Sequence, residues 1–193
     1  EVLRYIAEMA CELTGSDSAA IYHYNSQTNS FTPAALLGAD LPDMTGTQVR
    51  PSGMTRRALN ERRTFIIADA QTEPGINPSL RQTKIRSIIC TPLISKGQAV
   101  GVMYVNSNQL NKYGDNEVQL ISALASQAAV AIENGLLFKR LAEGNDRLQA
   151  VLNSTREGMM MLDNSKRIVF TNAMVGKFFN RAPADLTGRK LLE

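Results

Sequence analysis

Few side chains in this 193-residue sequence have the types and spacing that chemistry requires. Its only histidine is His23, in "IYHYN", and its only cysteines are Cys11 and Cys90. Each cysteine is flanked by core-like residues. Together they form neither a metal-ligand spacing nor a disulfide framework, and a reducing cytoplasm is expected. There is no Gly-rich phosphate loop, no Ser/His/Asp set in a suitable context and no cluster of carboxylates, so no catalytic residue is expected. The densest basic stretch, "TRRALNERR", carries Arg56, Arg57, Arg62 and Arg63. On a helix these spread around the circumference, as a solvated face does. With a net charge of only +3, no nucleic-acid footprint is expected. Asn153-Ser154-Thr155 spells a glycosylation acceptor, which is coincidental in a cytosolic helix.

The remaining residues must therefore build a binding or interaction module. At 44% hydrophobic and 20% charged, the composition is that of a folded globular protein rather than a disordered one. No run is read as long and apolar enough to span a bilayer, and no membrane partner is expected. The chain opens with Glu1 and is expected to belong to a longer one.

The elements follow from periodicity. "VLRYIAEMACELT" (2–14) places Val2, Ile6, Met9 and Leu13 at helical spacing, and Gly15 ends that helix. "SAAIYHY" and "SFTPAALL" read as strands around the turn "NSQTN". "GADLPDMTGTQVRPSG" is a loop, after which Ser52 is the expected N-cap of a helix through Met54, Ala58 and Leu59. "TFIIAD" reads as a short buried strand, and "AQTEPGINPSLRQTK" as a loop with one helical turn. "SIICTPLISKGQAVGVMYVN" (87–106) reads as two strands joined at "SKGQ", where Gly97 supplies the permissive backbone. The order predicts an α+β unit with an antiparallel sheet and its helices outside it.

From Asp115 to about Arg156 no proline interrupts and helix formers dominate. Forty-two helical residues would span ~63 Å, about twice the diameter of a small domain. Leu120, Leu124, Gln127, Ala131, Asn134, Phe138, Leu141, Asn145, Leu148 and Leu152 fall at alternating spacings of four and three, which is the seam of a coiled coil. The alanines of the first half (Ala123, Ala125, Ala128, Ala129, Ala131) allow close approach to a sheet or another helix. Gly135 and Gly144 are the expected bending points.

A second pattern follows: a hairpin in "GMMMLDNSKRIVFTN" with its turn at "DNSK", then a short helix capped by Asn172 and carrying Val175, Phe178 and Phe179. The 36 residues from Gly158 onward are fewer than the ~40 that usually sustain a core, so they read as the front of a second domain.

"GMTRRALNERRTFIIADAQTEP", "IRSIICTPLISKGQAVGVMYVNS" and "YGDNEVQLISALASQAAVAIENGLLFKRL" together resemble the GAF domain family. "LD-NSKRIVFTN" and "DLTGRKLLE" resemble the first half of a PAS domain. The resemblance implies a GAF domain over 1–140, including the first half of the long helix. A coiled-coil linker over 141–157 and the amino-terminal part of a PAS domain over 158–193 follow. It also implies a sheet of about six antiparallel strands, with a ligand pocket on one face and a helical bundle that pairs two chains on the other. Such a pairing is typical of the input half of bacterial signalling proteins: sensor histidine kinases, cyclic-di-nucleotide enzymes or regulators.

The family's ligands can be tested against the residues present. A covalent tetrapyrrole needs an accessible cysteine, commonly beside histidine, and neither Cys11 nor Cys90 has one; buried thiols acting as small hydrophobes are expected instead. His23 could supply one axial ligand to haem iron, but nothing else in the chain suits iron, and a structural imidazole is expected. The cyclic-nucleotide signature of some members is degraded here to Asn106, Ser107, Tyr113 and Glu117. No cofactor is expected. The elements enclosing the family's pocket carry Tyr22, Tyr24, Met54, Leu59, Arg81, Ser87, Ile89 and Tyr104, which are its candidate lining; the sequence leaves open which strand face points inward.

The resulting expectation is a cytoplasmic sensor domain that binds an unknown small ligand and acts as a parallel homodimer. Its interface is expected through Leu120, Leu124, Ala131, Phe138, Leu141, Leu148 and Leu152, relaying to an output domain in the same chain. The alternative is a ligand-free dimerisation and scaffold module with a vestigial pocket.

Overall fold

The computed structural model describes residues 1–39, 41 and 50–191. Most of the loop read between Gly38 and Gly53, and the last two residues of "RKLLE", lie outside the described residues. The chain divides into two compact units, Glu1–Leu136 and Leu137–Glu193.

In the first unit, strands β1 (Ser18–Asn25), β2 (Ser30–Leu37), β3 (Phe65–Ile67), β4 (Ser87–Ser95) and β5 (Gln98–Ser107) form one antiparallel sheet of five strands in the order β2-β1-β5-β4-β3. Five strands of this sheet are found among the described residues, where the family resemblance suggested about six. Ser95 pairs with Gln98 across Lys96 and Gly97, whose φ values of 48° and 76° are those of a type I′ turn, so the tight hairpin sets the register of the sheet's centre.

The two-residue period of the strands sorts the core into two layers. Ala19, Ile21, Ile89, Leu93, Met103 and Val105 face one way, packing on Ile6, Ala7 and Ala10 of α1 (Val2–Thr14). Ile121, Ala125, Ala128, Ala129 and Ile132 of α3 (Asp115–Ser154) close the same layer. Ala20, Tyr22, Ile88, Cys90 and Val102 face the other way, against Met54, Ala58 and Leu59 of α2 (Met54–Glu61). Small alanines let α3 lie close to the sheet. At Gly101 of β5 there is no room even for a methyl group: a Cβ there would stand 2.4 Å from the Tyr22 carbonyl oxygen.

Two local expectations change, and α3 runs as one helix. The N-cap of α2 is Gly53 rather than Ser52, and no side chain caps it. β3 is one of the sheet's two outer strands and only partly buried, with Ile66 39% exposed and Ile67 buried. α3 is unbroken at Gly135 and Gly144. Contrary to the sequence reading, α3 also contains an 18-residue window of mean hydropathy 1.4, the one helix among the described residues long and apolar enough to cross a membrane; 28% of that window is buried.

In the second unit, the hairpin β6 (Met160–Leu162) and β7 (Ile168–Thr171) is followed by α4 (Ala173–Phe179) and α5 (Pro183–Leu186). Asp163 Oδ1 accepts from the Ser165 and Arg167 amides, the local bond that makes "DNSK" a turn. Its core is small: Ile168, Val175 and Leu186, with Met160 packed against them.

Candidate functional site

The α2 face of the first unit gathers most of the sheet's aromatic side chains. Tyr22 meets Phe31 and Tyr104 edge-on, with ring centroids 6.1 Å apart in both cases, and Tyr24 lies 5.5 Å from Phe31. The cause is register. Tyr24 pairs with Phe31, and Ala20 with Tyr104, across β1's two ladders, so the rings project from one side of the pleat.

A polar rim borders these rings. The Tyr104 hydroxyl hydrogen-bonds with Thr55 Oγ1. Tyr24 donates to Asn29 Oδ1 at 3.0 Å, and Arg56 donates to both the Tyr24 hydroxyl and Asn29 Oδ1. Burial holds the Tyr104 phenol well above its ordinary pKa. Its register partner Cys90, fully buried, is likewise pushed up to about 12 by burial. Both are neutral groups at physiological pH, suited to hydrogen bonding and packing rather than to nucleophilic attack.

Of the eight candidate lining residues, Tyr22, Met54 and Leu59 are buried in this layer, and Tyr24 and Tyr104 pack against it. Two strand residues do not belong to it. Ile89 has the opposite pleat parity and is buried in the α1/α3 layer, which corrects its assignment to the same wall. Ser87 is buried, with Oγ donating to the Gln109 carbonyl at 2.8 Å, a bond that ties down the chain leaving β5. Arg81 sits exposed on the 3₁₀ turn Pro78–Gln82. That turn is pinned by Gln71, whose Nε2 donates to the carbonyls of Leu80, Thr83 and Ile85. Phe31, Asn29 and Thr55 join the aromatic face without having been named from the sequence, and so does Arg56, which the sequence reading put on a solvated face. Phe31 alone was detectable, through its alternation in "SFTPAALL"; the others depend on where α2 docks.

The degraded nucleotide signature has structural work to do. Asn106 Nδ2 donates to Ser18 Oγ, Ser107 donates to Asp17 Oδ2 at 2.9 Å, and Tyr113 pairs with Ser16, so three of its residues latch the α1–β1 corner. Glu117 accepts from the Gly114 amide at 2.8 Å, just ahead of α3. In the basic stretch, Arg57 and Arg63 stack on Phe65 at 4.7 and 4.4 Å and both pair with Glu61. His23 is half-buried, with its pKa lowered by burial. No group of metal-ligating residues occurs among the described residues.

Among the described residues, apolar side chains are also exposed on the helices of each unit. On α3 the residues that meet the sheet are Ile121, Ala125, Ala128, Ala129 and Ile132, whereas the seam positions Leu120, Leu124, Gln127 and Ala131 lie about a third of a turn round the helix. Leu120 is exposed, and Leu124 and Ala131 are half-buried. Val130 is exposed one position before Ala131. On α1, Val2, Tyr5 and Leu13 are exposed beside the buried Ile6 and Ala10. In the second unit, Leu137, Phe138, Leu141, Leu148 and Val151 of α3 are exposed, Phe138 by 72%, and Leu152 is half-buried.

The sequence profile described as GAF domain matches residues 1–133, and the profile described as PAS fold matches residues 146–193. Among solved structures, the GAF domain/HD domain protein from Geobacter sulfurreducens is similar with a TM-score of 0.60 at 20% identity, over 71% of this chain and 93% of that one. The blue-light absorbing form of the PixJ GAF domain from Thermosynechococcus elongatus has a TM-score of 0.57 at 18% identity, over 74% of this chain and 89% of that one. A free methionine-R-sulfoxide reductase from Neisseria meningitidis has a TM-score of 0.58 at 21% identity, over 68% of this chain and 75% of that one. Likeness at this level of identity establishes the fold and leaves the activity to the site. Comparison with curated proteins gave no match.

Proposed function

The chain belongs to the GAF domain family and carries a PAS fold after it, and from that premise we propose that it is the sensory region of a cytoplasmic bacterial signalling protein, a sensor histidine kinase being the parent favoured. A small molecule with an apolar body and a polar edge binds on the α2 face, over Tyr22, Tyr24 and Tyr104, with Thr55 and Arg56 at the rim. Two chains pair in parallel through the seam of α3, with α1 alongside. The ligand acts by differential affinity: it favours one packing of the paired helices, and α3 hands that packing to the output domain.

One observation carries the reading. A single sheet separates an aromatic, polar-rimmed layer from a helical layer on which, among the described residues, Val2, Tyr5, Leu13, Leu120 and Val130 are exposed. Exposed apolar surface of that kind marks an interaction face. No reaction is assigned to this chain. The Neisseria meningitidis relative is a reductase, but thiol-based reduction here would need an accessible thiolate. Burial, with the Asp17 charge adding to it, holds Cys11 at about 11, and Cys90 is fully buried.

A second reading has its own support. Tyr22 and Phe31 are 2% and 1% exposed, as in a filled core, which suits a ligand-free dimerisation and scaffold module. A thermal-shift screen with cyclic nucleotides, amino acids and small aromatic acids, together with native mass spectrometry of the purified protein, separates the two. A ligand at a hundred times its Kd adds about 2.7 kcal/mol to the folded state, and Arg56→Ala and Tyr104→Phe should shrink its effect. A blank screen with no co-purifying mass supports the scaffold.

A further inference from the structure

Asn172 is fully buried in a unit whose apolar core is small. Its side chain offers two N–H groups and one oxygen with two lone pairs, and all are engaged. Oδ1 accepts from the Met159 amide at 2.9 Å, just before β6, and from the Val175 amide at 3.2 Å, in the first turn of α4. Both partners are backbone N–H groups that can only donate, so they fix which way round the amide lies. Nδ2 donates to the Leu152 carbonyl at 3.0 Å, the Glu157 carbonyl at 2.8 Å and Thr155 Oγ1 at 3.3 Å. Leu152 lies in the last turn of α3, where carbonyls have no partner inside the helix. The exchange runs the other way as well: Asn153 of that turn accepts, through Oδ1, from the Ala173 amide that opens α4, at 2.8 Å. Each helix end thus supplies a cap for the other.

We infer that Asn172 is a positioning residue that makes the last turn of α3 and the β6–β7–α4 segment order as one cooperative element. A buried amide stripped of its acceptors is costly. The end of α3 therefore cannot unwind or turn about its axis without also disturbing the cap of α4 and the entry to β6. This gives a physical route by which motion of α3 reaches the PAS hairpin. That use rests on the proposed relay, but the coupling itself is local and independent of ligand and of pairing.

The test is amide hydrogen exchange on the full chain. Asn172→Asp keeps an oxygen facing the Met159 and Val175 amides but turns a second one toward three oxygens. Exchange at residues 148–154 should rise about tenfold, the scale of one lost buried hydrogen bond, while Val175 to Phe179 stay protected. Ala150→Gly, which loosens the exposed face of α3, should speed exchange at 160–162 and 168–171 with Asn172 present, and add nothing there in the Asn172→Asp background. Should Asn172→Asp unfold the whole unit, the milder Asn153→Ala decides, since it should release both the Ala173 amide and the end of α3. Unchanged exchange at 148–154 in Asn172→Asp or Asn153→Ala would overturn the inference. So would Ala150→Gly freeing the helix end without touching the hairpin. A blank ligand screen or a monomeric chain bears only on the relay, and these exchange rates are read independently of both.

Discussion

Thr64 and Ser122 stand hydroxyl to hydroxyl at 3.2 Å, and Thr64 also reaches the Thr91 hydroxyl at 3.1 Å. Thr64 lies between α2 and the outer strand β3, while Ser122 lies on α3. One side chain therefore joins the aromatic layer's helix connection to the helical layer, round the sheet's edge. Thr64→Val removes both bonds at nearly constant volume and should cost about 1 kcal/mol. Urea unfolding should show a lower midpoint with an unchanged slope. Combined with Ser122→Ala, the double variant should lose less than the sum of the two single ones. Strict additivity would show that the two hydroxyls do not interact.

The proposed pairing is checked by cross-linking. With Cys11 replaced by alanine and Cys90 buried, Leu141→Cys and Leu148→Cys supply new thiols on the exposed face of α3. A parallel pair brings each residue next to its own copy, so each variant should form a disulfide-linked dimer under mild oxidation. Absence of cross-linked product at both positions would remove the paired relay.

Titration should erode stability on the alkaline side. Cys90 is raised from 9.0 to about 12 and Cys11 to about 11, and Tyr104 and Tyr113 are raised as well, all chiefly by burial. The unfolded chain releases these protons at lower pH than the folded one, so it binds fewer of them above about pH 9 and stability falls as pH rises. The melting temperature should drop steadily from pH 9 upward, and Cys90→Ala should make that decline shallower. On the acid side the sign reverses. Hydrogen bonding from Arg86 holds Asp69 below its ordinary value, so this contribution is complete at neutral pH and lost on acidification. Asp69→Asn should flatten the acid limb.

Glycine substitutions should split in sign. Gly101→Ala sets a methyl group against the Tyr22 carbonyl at 2.4 Å and a Leu93 methyl at 2.9 Å, and should destabilise by about 1–3 kcal/mol as β1 and β5 are forced apart. Gly135→Ala and Gly144→Ala meet nothing within 4 Å and lie inside α3, so each should stabilise by about 0.5–1 kcal/mol. Thermal melts of the three variants suffice. A destabilising Gly135→Ala would mean that residue's freedom is used.

Much of the fold was legible because its signals are local. Alternation in "SIICTPLISKGQAVGVMYVN" and the Lys96–Gly97 turn define the central hairpin, and the proline-free run from Asp115 defines α3. The candidate site was legible in part. Tyrosines on β1 and β5 were visible as residues, but nothing local says which pleat parity meets α2, which is why Ile89 was placed with Tyr22 and lies on the other side. Ser52 gave way to Gly53 at the cap, because a preferred residue type does not force the geometry that places its oxygen over the first turn.

The sequence alone determined the order of elements and the two-domain pattern. Each is carried by residue type and by spacing along the chain. Only the tertiary structure decided that Tyr22, Tyr24, Phe31 and Tyr104 share one face, that Arg56 and Thr55 border it, and that Asn172 is buried at the junction of two helix ends. The partners in those contacts are fixed by strand register and helix docking, which minimise the free energy of the whole packing and leave no mark in a local pattern.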